Sequence, residues 1–155
     1  FPFAFTNGIQ ASVLDVDVDT GMVDLRKHWC VEDCGRIINP LLVDEQVRGG
    51  VVQGIGGALY EHCAYSPEGQ LLIGSMADYL VPMAAEMPDI HVGHVETPTK
   101  ESLLGAKGAG EAGTAGAPAA LMNAINDALR PFGTRVHAQP FTPERILAAP
   151  GKVPG

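Results

Sequence analysis

The stretch Gly105-Ala-Lys-Gly-Ala-Gly-Glu-Ala-Gly-Thr-Ala-Gly-Ala-Pro-Ala-Ala-Leu121 decides how this chain is read. It places one carboxylate, Glu111, at a glycine-rich turn that leads directly into a helix. Glycines open backbone conformations closed to other residues and let a bulky ligand approach the main chain. The helix start behind them offers unpaired N–H groups and a positive dipole end, which suits an anionic cofactor. A lone acid beside such a seat is placed to move a proton. Two other readings compete. Gly108 to Gly113 is a literal G-x-G-x-x-G, which would signal a dinucleotide fold only directly after a buried strand. Upstream, Thr97 to Ser102 is polar and proline-broken, with only Leu103-Leu104 as an apolar pair. The remaining reading is a turn whose Glu111 caps or solvates the helix start, since acids favour helix N-termini.

The 155 residues are enough for one domain with a real core, and 46% hydrophobic with 18% charged residues is the balance of a folded protein. The net charge of −8 and the absence of any basic run argue against nucleic acid. No apolar run has the length of a membrane span, and Phe1 to Phe5 lack the pattern of a secretory signal. The chain begins without Met, which suggests a cleaved product or a piece of a longer protein. Cys30, Cys34 and Cys63 make neither a disulfide framework nor a cluster site, so buried thiols in a reducing compartment are expected.

From Leu14 to Asp19 the alternation is strict, with Leu14, Val16 and Val18 on one face and Asp15, Asp17 and Asp19 on the other, as in a half-exposed strand that begins near Ile9. Asp19-Thr20-Gly21 is a turn, and Met22 to Val31 returns to complete a β-hairpin. The three aspartates do not make an EF-hand, because Thr20 and Arg26 stand where Gly and Glu are required. Asn39-Pro40 starts a helix, with Asn at the N-cap and Pro at the first helical position. Val47, Val51, Ile55, Ala58 and Leu59 carry the helical spacing through about Cys63. Gly49, Gly50, Gly54, Gly56 and Gly57 lie on the same helix, each costing about 1 kcal/mol relative to Ala, so close packing on another backbone or a ligand is expected.

Further on, Ser66 to Gly69 is a turn, with a strand expected at 70–75, a short extended piece at 79–82 and a strand at 90–96. Pro118 is expected in the first turn of a second helix bearing Leu121, Ile125 and Leu129 and ending near Arg130-Pro131. Residues 136–141 read as extended, Thr142 caps a short helix to about Ala149, and 150–155 reads as a frayed tail. The sum is an α+β arrangement. The five histidines show no zinc spacing, and His91 and His94 point to opposite faces of their strand.

Three segments in register carry a resemblance: Asp33-Cys-Gly-Arg-Ile-Ile-Asn-Pro40, Glu45-Gln-Val-Arg-Gly-Gly-Val-Val-Gln-Gly-Ile-Gly56 and Lys107-Gly-Ala-Gly-Glu111. Together they resemble the C-terminal molybdenum-cofactor-binding domain of the xanthine oxidase, or molybdenum hydroxylase, family. The likeness runs from about Ile9 to Ala148. It implies an α+β fold with a mixed sheet and packed helices, residues 1–150 forming the second molybdopterin-binding domain.

The resemblance also implies roles. Glu111, in the K-G-x-G-E motif, would be the general base that deprotonates a molybdenum-bound hydroxyl. The oxygen then attacks an electron-poor carbon and hydride passes to a sulfido ligand. Lys107, Gly108, Ala109 and Gly110 would lie along the pterin. Gln46 would hydrogen-bond it, with Asp44 and Glu45 close by, and Gln53 is a further candidate whose alternative is helix packing. A base of this kind should be partly desolvated, so that its pKa can rise toward the working pH. The implied cofactor is molybdenum–molybdopterin, in the cytosine dinucleotide form, with 2Fe-2S clusters and FAD on other domains or subunits.

The reaction class that the resemblance implies is oxidation of an aldehyde, an N-heterocycle or a similar substrate with water as oxygen source, carbon monoxide oxidation and thioester reduction being family variants. Alone, the chain supplies half a site and is expected to be inactive, self-associating or held in a complex with the remaining molybdopterin-binding, iron–sulfur and flavin parts. The alternative is a non-catalytic assembly module, against which an intact Glu111 argues. A cytoplasmic setting is the provisional expectation.

Overall fold

The computed structural model describes residues 4–149. Strands β1 (Asn7–Val16) and β2 (Val23–Asp33) form the expected antiparallel hairpin, and β3 (Ile90–His94) pairs parallel to β2, so the sheet order is β1-β2-β3. Between the strands, Asp17 closes the turn by accepting from the amides of Asp19 and Thr20, and Gly21 takes a left-handed φ of 73°. β1 therefore stops at Val16, short of the alternation read through Asp19. A bulge at Arg26 shifts the register, pairing Val13 with Lys27 but Leu14 with Leu25. That extra residue is why Leu25 and His28, three apart, both face the core.

Helix α1 (Pro40–Leu59) starts as read: the Asn39 side chain accepts from the Leu42 amide and Pro40 opens the first turn. It ends at Leu59 rather than near Cys63, which is consequently an exposed thiol and not a buried one. Helix α2 (Ala112–Leu129) begins six residues before Pro118, which lies inside it. The low propensity of its first turns is offset by packing. A Cβ on Gly113 would sit 2.3 Å from the Val47 carbonyl oxygen, and one on Gly54 would meet Thr114 and Ala117. The Pro118 ring lies at the same crossing, and this tertiary contact overrides the sequence-level preference for proline in a first turn.

Both helices cover one face of the sheet, α2 over β1 and α1 beside α2 and β3. The core is the shared set Val47, Val51, Ile55, Leu121, Ile125 and Leu129, with Phe141 and Ile146 of the C-terminal segment closing its end. Residues 136–141 form no strand. Instead Asn126 satisfies both backbone groups of Val136, and the Phe141 amide donates to Ala58. Helix α3 (Pro143–Leu147) follows the expected Thr142 cap.

The segment from 60 to 89 departs most from expectation. Leu71 makes a single bridge with Tyr65, and neither 70–75 nor 79–82 is a strand; a one-turn 3-10 helix at Ala84–Glu86 is the regular element here. Pairing here is confined to 64–66 against 70–72, where the Ser66 amide donates to Gln70 and the Leu72 amide to Ala64, too short to make a strand. Leu72, Met76, Leu80 and Met83 are left exposed. The expected frayed tail lies outside the described residues.

Candidate functional site

Three loops converge at the N-terminus of α2. Gly35 and Gly105 both adopt left-handed φ, and the loop segments that carry them form a small isolated bridge: the Arg36 amide donates to Gly105 and the Lys107 amide to Cys34. A Cβ on Gly35 would fall 2.3 Å from the Gly105 oxygen, so the approach needs glycine. Lys107 then turns its ammonium inward, 3.2 Å from Asp33 Oδ2 and 2.7 Å from the Thr97 hydroxyl. Both side chains are buried, at 11% and 6% exposure. Asp33 also accepts from the Thr97 hydroxyl and from the Gly35 and Thr97 amides. The Thr97 hydroxyl above all, helped by those amides and by Lys107, holds the Asp33 carboxyl below the usual carboxylate range against the opposing effect of burial.

Glu111 emerges from this anchored loop at the N-cap of α2. Its carboxylate makes no capping hydrogen bond and is exposed, so the capping reading of this residue does not hold. The dinucleotide reading fails as well, because no strand leads into residues 108–113. The carboxylate stands at the positive end of an 18-residue helix, on the lip of a cleft of about 280 Å³ that Gln10 and Glu32 also line. Being exposed, it lacks within this chain the desolvation expected of a base.

The carbonyls on either side of Glu111 are held by glutamines. Gln46 Nε2 donates to Gly110 at 2.8 Å, from α1, and Gln10 Nε2 donates to Gly113 at 2.9 Å, from β1. Gln53 lies on the same exposed side of α1, with Thr114 donating to it at 3.4 Å. Asp44 and Glu45 do not join this group. Two residues from Gln46 on a 3.6-residue helix, Asp44 faces the other way and meets His94 Nε2 at 2.6 Å. Glu45 pairs with Arg48, which also donates to the Ile90 carbonyl. These contacts tie α1 to β3. His91 and His94 do point apart, His91 stacking on Trp29 across the sheet's outer face.

Glycine usage marks which surface is open. Cβ atoms on Gly49, Gly57, Gly108 and Gly110 would meet nothing, and none of the four has a left-handed φ. Neither backbone geometry nor packing within the chain requires glycine there. Gln10, Asp33 and Thr97 were not singled out as site residues by the sequence reading. Asp33 was inside a quoted motif and Thr97 at a quoted strand end, whereas Gln10 carried no local signal.

A family model described as the molybdopterin cofactor-binding domain matches residues 1–88, more than half of the chain. The nicotine 6-hydroxylase large subunit of Paenarthrobacter nicotinovorans is 47% identical over 145 residues, 94% of this chain and 18% of that protein. The carbon monoxide dehydrogenase large chain of Afipia carboxidovorans is 34% identical over 83% of this chain and 15% of its own length. Among solved structures, quinoline 2-oxidoreductase from Pseudomonas putida 86 superposes with a TM-score of 0.90 and 40% identity over 93% of this chain and 18% of that one. The chain thus spans less than a fifth of the relatives it matches.

Proposed function

The chain belongs to the molybdopterin cofactor-binding domains of the molybdenum hydroxylase family, and from that premise we propose that it forms part of an oxidoreductase large subunit in which Glu111 is the general base. The observation that carries the proposal is the uncommitted carboxylate at the start of α2, bracketed by Gln46 and Gln10 and flanked by glycines that nothing in the chain requires.

The residues fit an anionic pterin. Gly108 and Gly110 leave the loop backbone bare, the α2 dipole favours negative charge, and Gln46, whose Nε2 is spent on Gly110, keeps Oε1 as an acceptor. Lys107, with its ammonium on Asp33 and its amide on Cys34, anchors the loop along the pterin, while Ala109 lies between the two open glycines. Gln53 extends the same surface, and Asp44 and Glu45 hold the far side of α1 in place. When bound, the molybdenum cofactor supplies a two-electron redox centre that acidifies the water it activates. Glu111 accepts the proton given up there, and the cover provided by the rest of the large subunit supplies the desolvation that this chain lacks.

On this reading the substrate is an aldehyde, an N-heterocycle or a related electron-poor carbon, and 2Fe-2S and FAD partners carry the electrons away. The cofactor on this reading is the cytosine dinucleotide form of molybdopterin. The chain alone is inactive, and residues 1–150 act as the C-terminal molybdopterin-binding domain. Among the described residues no helix is long and apolar enough to cross a membrane.

The test is Glu111→Gln in the complete, cofactor-loaded large subunit. Turnover should fall by about 10²–10⁴-fold with molybdenum content unchanged. Ordinary turnover in that variant would remove the base assignment and favour the assembly-module reading.

A further inference from the structure

Beneath the first turn of α2 runs a chain of polar side chains on the inner face of the hairpin. The Ser12 hydroxyl lies 2.9 Å from His28 Nδ1, and His28 Nε2 lies 3.0 Å from Gln10 Oε1. Gln10 Nε2 reaches the Gly113 carbonyl at 2.9 Å and, more distantly, Glu32 Oε1 at 3.4 Å, which also accepts from the Cys30 thiol. His28 is fully buried and burial pushes its pKa down to about 4, so near neutrality the ring is uncharged. A neutral ring has one donor and one acceptor. With Nε2–H given to Gln10, Nδ1 accepts from Ser12, and the Gln10 amide has a single orientation: oxygen to histidine, nitrogen to the helix.

Two glycines make room for this arrangement. A Cβ on Gly116 would lie 2.9 Å from Gln10 Cδ, and one on Gly8 would strike the Glu32 carboxylate. Strand, ring and amide therefore form a stem that ends on the carbonyl two residues after Glu111, and Gln10 and Glu111 line the same cleft.

We infer that Gln10 is the positioning residue of the base, gripping the turn at Gly113 while Gln46 grips it at Gly110, so that Glu111 is held from both sides. This rests on Glu111 being the base. A glycine-rich turn has little stiffness of its own, and an error of about 1 Å in a reacting group costs on the order of 10²-fold in rate. The stem adds a tie to the sheet through side-chain hydrogen bonds.

The test uses Gln10→Met in the complete, cofactor-loaded large subunit, which keeps side-chain length but removes donor and acceptor. Turnover should drop by about 10- to 100-fold with KM changed less than about twofold, molybdenum content kept, and amide exchange over 110–116 accelerated about tenfold while 28–33 is unchanged. Gly116→Ala crowds Gln10 from the helix side and should give the same pattern more weakly, which keeps the inference testable if Gln10→Met fails to fold. Turnover within about twofold and unaltered exchange in the variants that fold overturns it. So does exchange raised uniformly across the domain, the mark of general destabilisation. Glu111→Gln measured alongside separates the two claims. Full activity there removes the base reading while the exchange data still report whether Gln10 holds the turn. An inactive Glu111→Gln beside normal Gln10→Met and Gly116→Ala removes only the positioning role.

Discussion

Gly50, Gly54 and Gly113 stand where α1 and α2 cross, while Gly49, Gly57, Gly108 and Gly110 stand on the surface beside that crossing. At the first three a methyl group would press on backbone or on a side chain of the opposite helix. At the other four it would touch nothing, and a helical glycine such as Gly49 costs about 1 kcal/mol relative to Ala without any gain inside the chain. The closed set builds the fold. The open set has no such role inside the chain, and on the proposed reading it is the surface that the cofactor lies against. The same contrast separates the inner contacts of the candidate site, Lys107 with Asp33 and Gln10 with His28, from its exposed residues, Glu111 and Gln46.

The largest effect should come from the closed side. Lys107→Met leaves Asp33 buried without its cation and should destabilise the domain by about 3–5 kcal/mol in denaturant titration. A loss under about 1 kcal/mol would mean that the pair is not a structural anchor. Next is pH. The His28 pKa of about 4 in the fold lies below its ordinary 6.5, so the unfolded chain binds the proton first. The stability linked to it is complete above pH 6.5 and is lost as pH falls through 4, about 3 kcal/mol in all. His28→Gln should lack that component of acid sensitivity when melting curves are compared from pH 7 to 4.

Gly113→Ala, facing the Val47 carbonyl, should cost about 1–3 kcal/mol. Asn39→Ala, which removes the α1 cap, should cost about 1 kcal/mol. Gly49→Ala should instead raise the melting temperature, by an amount corresponding to about 0.5–1 kcal/mol. If Gly49→Ala and Gly113→Ala are equally harmful, the distinction between closed and open glycines collapses.

The hairpin, the Asn39-Pro40 helix start and the apolar spacing of both helices were legible because each is a local pattern whose period matches its element. The bulge at Arg26 was not, since it depends on which residues of two strands share a core. The start of α2 was misplaced at Pro118 because helix propensity is local, whereas the packing of Gly113 on α1 that supports the earlier start is tertiary. Residues 70–75 read as a strand from composition but have no strand beside them. Among the candidate site residues, Glu111 and Gln46 sit in motifs that single them out locally. Gln10 acts across 103 positions of sequence through a side-chain amide, and no spacing in a single sequence encodes that.

The most direct test of the central claim, that the open glycine surface receives the molybdenum cofactor, is native mass spectrometry with molybdenum quantified in the same sample, for the wild-type complex and for Gly110→Leu. Gly110 has no left-handed φ and a Cβ there would meet nothing among the described residues, so the leucine should fold normally. The account predicts stoichiometric molybdenum in a complex of this chain with larger partners, and its loss in Gly110→Leu at unchanged thermal stability. Wild-type molybdenum content in Gly110→Leu, or a wild-type protein that carries none, would contradict it.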